Sequence, residues 1–158
     1  MINPWLPERH RILEIKEETD MESTFVVEFN EPSIRHGQFF QISLPKIGEA
    51  PISVSNFTDS TIEFTIRKVG TLTNVLFDLH AGDDLYIRGP YGNGFPLEDF
   101  KGKHIIVIAG GTGVSPVRST LNHYLNNPQD CKDVYAIAGF RDAQHVLFEN
   151  DLTKWRNA

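Results

Sequence analysis

Cysteine is nearly absent: Cys131 is the single one in 158 residues. One thiol excludes a disulfide framework, and it excludes a cysteine-ligated metal or iron–sulfur cluster built from this chain alone. Cationic charge is also short. Fifteen Lys and Arg stand against 21 Asp and Glu, a net charge of -6, which argues against nucleic acid as a partner. No apolar run approaches the roughly 20 residues of a membrane span, and the first residues lack the charged-then-apolar pattern of a secretory leader. The expected location is cytoplasmic, with no membrane span. Six histidines are scattered without ligand spacing, so each reads as a core or surface residue before it reads as a metal ligand. No Ser/His/Asp set or carboxylate pair stands out, and no catalytic side chain is assigned. Internal repeats and low-complexity segments are missing as well.

What is present is organised around Ile105-Ile106-Val107-Ile108-Ala109-Gly110-Gly111-Thr112-Gly113-Val114-Ser115-Pro116. Five apolar, mostly β-branched residues predict a strand buried on both faces of a parallel sheet. The glycines then allow a sharp turn with exposed amides. Ser115 reads as an N-cap, Pro116 as the first helical residue and 117–125 as the helix. Strand, bare turn and helix start together form an anion site suited to a dinucleotide diphosphate, or else a plain β–α turn. Pro116 stands where the last glycine of G-x-G-x-x-G would be, so the motif is incomplete.

Upstream, six short runs alternate as strands: 11–16, 24–30, 38–44, 52–56, 61–68 and 85–88. Turn-forming residues separate them, Asn30-Glu31-Pro32 among these. Six such strands predict a closed antiparallel Greek-key barrel. Leu72, Val75, Leu76 and Leu79 recur at helical spacing and predict a short helix over 74–80 with Thr73 as N-cap. The turn Gly70-Thr71-Leu72-Thr73 is a second phosphate-ready helix start.

From His104 onward strand and helix alternate: strand 105–109, helix 116–125, strand 134–138, helix 144–155. This predicts the β–α–β–α opening of a parallel nucleotide-binding sheet. The boundary falls near Leu97 to Lys103, dividing the chain into a barrel over 1–99 and an α/β part over 100–158. Two strands cannot close such a sheet, which in doubly wound domains has about five or six. The expectation is that the α/β part is incomplete and the chain a fragment of a longer polypeptide.

A barrel followed by a parallel nucleotide domain, with a glycine turn at each phosphate corner, resembles the ferredoxin–NADP reductase superfamily along the whole chain. The wording of 41–55, 66–70, 91–94 and 149–156 is most similar to the B subunits of anaerobic sulfite reductases. These are kin of the electron-transfer subunits of dihydroorotate dehydrogenase and of sulfur-reducing hydrogenases. The resemblance implies FAD on the barrel, hydride taken from NADH, and electrons passed through a 2Fe–2S cluster to catalytic and iron–sulfur partner subunits of a sulfite reductase complex. It implies a flavin strand at Ala50-Pro51-Ile52-Ser53, where Ala50 and Ile52 replace the family's arginine and tyrosine. The cluster-binding cysteines of the family are missing here. A flavin-carrying interaction module without NADH turnover is the alternative, as is a dihydroorotate dehydrogenase or hydrogenase partner. NADH against NADPH is left open.

The site residues that follow from the resemblance are Pro51, Ile52, Ser53, Ile66, Arg67, Gly70, Leu72 and Thr73 for FAD. For the nicotinamide nucleotide they are Gly110, Gly111, Thr112, Gly113, Pro116, Gly139 and Arg141. Pro51 and Ile52 would wall the flavin ring and Ser53 would bond its edge, or Ile52 is an ordinary barrel residue. Arg67 would supply the missing cation, or is a surface charge. Arg141 follows the second strand on the crevice side, where it would reach a nucleotide phosphate or ribose, or is a solvated cation. Tyr91 and Phe95 would edge the flavin or plug the seam between the halves, the seam being preferred. Asp142 and Glu149 read as solvated charges and Cys131 as a bystander.

Overall fold

The computed structural model describes residues 5–30 and 34–157; Pro32 and its neighbours in the turn that follows Asn30 lie outside them. The strands β1 (Glu8–Glu17), β2 (Glu22–Glu28), β3 (Phe39–Leu44), β4 (Gly48–Phe57), β5 (Thr61–Arg67) and β6 (Asp84–Tyr91) close into an antiparallel barrel of order β1-β2-β5-β4-β3-β6. Alternation sends Phe25 and Val27, Phe40 and Ile42, Ile62, Phe64 and Ile66, and Leu85 and Ile87 into one core. Phe40 meets Phe29 and Phe64 edge-on, with centroids 5.5 and 5.7 Å away. Full burial of each such side chain contributes about 1.5–3 kcal/mol, and the closed ring leaves no unpaired strand edge.

On β2 and β5 the outward residues are buried too. Thr24, Glu63 and Thr65 are covered although their positions alternate with the core residues. The cover is the second half of the chain. There β7 (His104–Gly110) and β8 (Asp133–Gly139) pair in parallel, joined by α2 (Ser115–Asn126) and followed by α3 (Glu149–Arg156). The helix α2 packs along β4.

Several expectations need correction. The β7–β8 sheet is buried on one face only. Ile105, Val107 and Ala109 are half-buried, whereas Ile106, Ile108, Tyr135 and Ile137 are 67, 76, 56 and 60% exposed. Two strands crossed by one helix have cover on a single side.

The short helix α1 runs Thr71–Leu76, not 74–80. Gly70 is its N-cap, and Thr73 sits at the third helical position with its hydroxyl turned back. In α2, Ser115 is already helical and Val114 is the cap, because a 3-10 turn over Gly111–Val114 runs directly into the helix. The segment expected as one helix over 144–155 divides into a 3-10 turn (Ala143–His145) and α3. Phe148 stands between them at φ +58 with Leu147 and Phe148 buried, and this left-handed residue breaks the helix.

Candidate functional site

The barrel corner is built by the end of β5 and the start of α1. Thr73 is buried, and its Oγ1 accepts hydrogen bonds from the backbone N–H groups of Val69 and Gly70, both at 2.9 Å, while donating to the Gly70 carbonyl at 3.1 Å. The turn is thereby fixed from inside. The Thr71 and Leu72 amides, in the first helical turn, donate to no group among the described residues. A Cβ placed on Gly70 would meet nothing within 4 Å, so this corner is open. Leu72 is half-buried against the barrel core and Ile66 is fully inside it. The guanidinium of Arg67 stands at the strand end, its Nε 3.4 Å from the buried carboxylate of Glu22. That contact occupies one edge of the fork only.

On β4, Pro51 is exposed and Ser53 half-buried. Ile52 packs against the barrel core, which is the ordinary barrel position. Cross-strand register sets Ser53 beside Phe39 and Phe39 beside Tyr91 on the outer face. The Phe39 and Tyr91 rings lie 5.7 Å apart, and Arg88 donates to the Tyr91 hydroxyl at 3.0 Å and to Glu49 at 2.7 Å. Tyr91 is therefore part of a ledge on the barrel. Phe95 stacks over Gly37, with its amide donating to the His36 carbonyl at 2.7 Å. Phe95 thereby lies next to His36, on the barrel side of the seam, while Tyr91 faces Phe39 and Arg88. Phe39 and Arg88 join this surface only through register across three strands, a relation with no local sequence signal.

The second corner lies at the C-terminal ends of β7 and β8. Gly110 and Gly139 are register partners there, and Gly111 turns the chain at φ +51. A Cβ on Gly110, Gly111, Gly113 or Gly139 would meet nothing within 4 Å. The Gly111, Thr112 and Gly113 amides form the first turn of the 3-10 segment and have no acceptor outside it among the described residues. They stand at the positive end of the 12-residue helix α2. Thr112 is half-buried and its hydroxyl is unengaged among the described residues; Pro116 contributes no N–H. Arg141 is exposed, and among the described residues its ion-pair partner is Asp142, at 4.0 Å. Asp142 itself caps the 143–145 turn, and its pKa is lowered chiefly by the hydrogen bond from His145.

The true seam was not legible beforehand. Arg118 of α2 is buried and donates from Nη1 to Glu63 Oε2 of β5 and from Nε to Asp151 Oδ2 of α3, both at 2.6 Å. Its guanidinium lies 4.4 Å from the Phe148 ring centroid. Burial alone would lower the Arg118 pKa, but attraction and hydrogen bonds from Glu63 and Asp151 outweigh it and leave it raised. Further along, the His36 ring lies 5.3 Å from that of His123. Burial, then the His123 charge, lower the His36 pKa to about 4.

Comparison with known proteins agrees with this fold. Residues 107–158 fit the family model "Oxidoreductase NAD-binding domain". The gamma subunit of sulfhydrogenase 1 from Pyrococcus furiosus is 34% identical over 95% of this chain and 54% of its own length. A probable dihydroorotate dehydrogenase B (NAD(+)) electron transfer subunit from the same organism is 44% identical over 75% of this chain and 43% of its own. The chain thus spans about half the length of the curated relatives it matches. Among solved structures, ferredoxin–NADP+ reductase from Plasmodium falciparum superposes at TM-score 0.78 with 19% identity, covering 96% of this chain and 65% of that one. Phthalate dioxygenase reductase superposes at TM-score 0.83 with 19% identity, covering 99% and 52%; these two likenesses show the fold. Fold, matched family model and relatives agree: the chain has the fold of these reductases, and residues 107–158 are similar to an oxidoreductase NAD-binding domain.

Proposed function

We propose that this chain is the FAD-holding and NADH-receiving part of an electron-transfer subunit that serves a separate catalytic partner. The observation that carries the reading is the pairing of two open corners with α2 packed along β4. The helix whose N-terminal turn is bare thus lies on the strand that bears Ser53. The residues present fit both nucleotides. Amides of Thr71 and Leu72 with the free edge of Arg67 would hold the FAD diphosphate, and Ser53 would bond the ring edge. Amides of Gly111, Thr112 and Gly113 would hold the diphosphate of NADH over the Gly110–Gly139 floor, with Arg141 reaching a ribose or phosphate. Bound FAD supplies the conversion of a two-electron hydride into single electrons. The protein's part is to orient the two rings and to bury the space between them. A 2Fe–2S cluster does not fit: Cys131 is the only thiol, and the described residues hold no group of metal-ligating side chains.

The relatives' names favour a hydrogenase or dihydroorotate dehydrogenase as the partner. A sulfite reductase partner is the second reading, and it rests on the wording of 41–55, 66–70, 91–94 and 149–156. The test of the core proposal is reconstitution with FAD followed by anaerobic NADH. A yellow protein that bleaches supports it. Bound flavin that NADH leaves oxidised reduces the chain to a flavin-carrying interaction module, and failure to bind FAD removes the proposal altogether. Co-purification of a tagged chain from its own cells decides among the partners.

A further inference from the structure

We propose that Arg118 is a positioning residue, the clamp that sets the angle between the barrel and the nucleotide-binding corner. Its functional consequence rests on the reading just given. Three elements converge on one guanidinium: β5 through Glu63, α2 through Arg118 itself, and α3 through Asp151. Arginine alone can do this, because its planar fork directs separate N–H groups at two carboxylates and leaves a flat face for Phe148. Lys154, 3.5 Å from Asp151, balances the second carboxylate.

Further along α2 the His36 and His123 rings meet at 5.3 Å, more than a turn past Arg118 and away from the glycine corner. The Ser115 and Ser119 hydroxyls are buried without a hydrogen-bond partner, so they hold no preferred register. The other polar links across the seam among the described residues run from the segment before α3: the Phe148 amide to Glu18 Oε2 at 3.2 Å, and His145 to Asp20 at 3.7 Å. Both bind the approach to α3, which leaves Arg118 as the ion-paired residue of α2 next to the glycine corner. Arg118 lies within the first helical turn after Ser115, so whatever fixes its head group fixes the Gly110–Gly113 corner a few residues away. Buried ion pairs of this kind contribute little net stability against apolar replacements; the role assigned to this one is geometric.

The experiment uses the full chain with Arg118→Met, and with the isosteric Glu63→Gln in case the first variant does not fold. Spin labels at Asp59→Cys and Asn126→Cys, in a Cys131→Ser background, report the distance between barrel and α2 without any flavin. The expected result is one narrow distance for the parent and a broadened distribution for the variants. In FAD-loaded protein the rate of flavin reduction by saturating NADH is expected to fall about 10- to 100-fold, the cost of a misplacement near 1 Å, while the Kd for NADH changes less than about twofold. An unchanged distance, or an unchanged rate despite a broadened distance, overturns the proposal. If the chain binds no flavin, the functional reading fails and the distance measurement still decides whether Arg118 sets the angle.

Discussion

Thr73 shows how much one hydroxyl can settle. It occupies both amides that precede α1, so only the amides inside the first turn are left to meet an anion. Thr73→Val keeps the shape and strands two donors. The expected loss is about 2 kcal/mol in denaturant unfolding, with faster release of FAD; Thr73→Ser should stay within about 0.5 kcal/mol of the parent. Gly111 carries the opposite lesson. Its φ of +51 penalises any Cβ by roughly 1 kcal/mol, and that Cβ would enter open space at the corner. Gly111→Ala is therefore expected to weaken NADH binding about tenfold by fluorescence titration, with FAD content unchanged. The two turns are readable in the sequence because glycine and threonine in a tight turn act locally, although Thr73 reads there as the cap and stands at the third helical position. Arg118 is not readable this way, since an arginine between Val117 and Ser119 in a helix reads as a solvated charge until Glu63 and Asp151 arrive from 55 and 33 residues away.

At the scale of elements, period-two alternation is a local property, and it placed every barrel strand. Alternation alone would leave Thr24, Glu63 and Thr65 facing solvent. The structure buries them, with Thr24, Thr65 and Ser55 hydroxyls 2.8–3.1 Å from their neighbours beneath the second half. Alternation reports which face is polar and is silent on what later covers it. The helix over 144–155 failed for a related reason, because the Phe148 ring is held in the seam by Arg118 and the chain must turn left-handed to put it there. The His36–His123 contact gives this seam a pH dependence. His36 titrates near 4 in the folded chain, below its ordinary 6.5, because burial and then His123 oppose its charge. Below about 6.5 the unfolded chain takes up a proton that the folded chain refuses. Stability is thus complete above that pH and falls on descent to about 4. Urea midpoints measured across this window should fall more steeply for the parent than for His36→Gln, and equal slopes would refute the assignment.

For the whole molecule, the two halves are finished to different degrees. The barrel has closed on itself, whereas the β7–β8 sheet leaves Ile106, Ile108, Tyr135 and Ile137 facing water, four large apolar side chains in one contiguous patch. A groove of about 880 Å³ opens beside it between β8, α2 and α3, lined by Ile137, Val117, Leu121 and Trp155. Parallel sheets in water are otherwise covered on both faces, and contiguous apolar surface of this kind promotes association. The 158-residue chain alone is therefore expected to self-associate with rising concentration in sedimentation velocity. Ile108 and Ile137 are register partners, so Ile108→Lys together with Ile137→Glu puts opposite charges side by side without repulsion. That double variant should sediment as a monomer and keep its barrel, as judged by unchanged FAD content. A parent chain that stays monomeric at millimolar concentration would show that these four side chains are tolerated in water, and that the sheet needs no cover to persist.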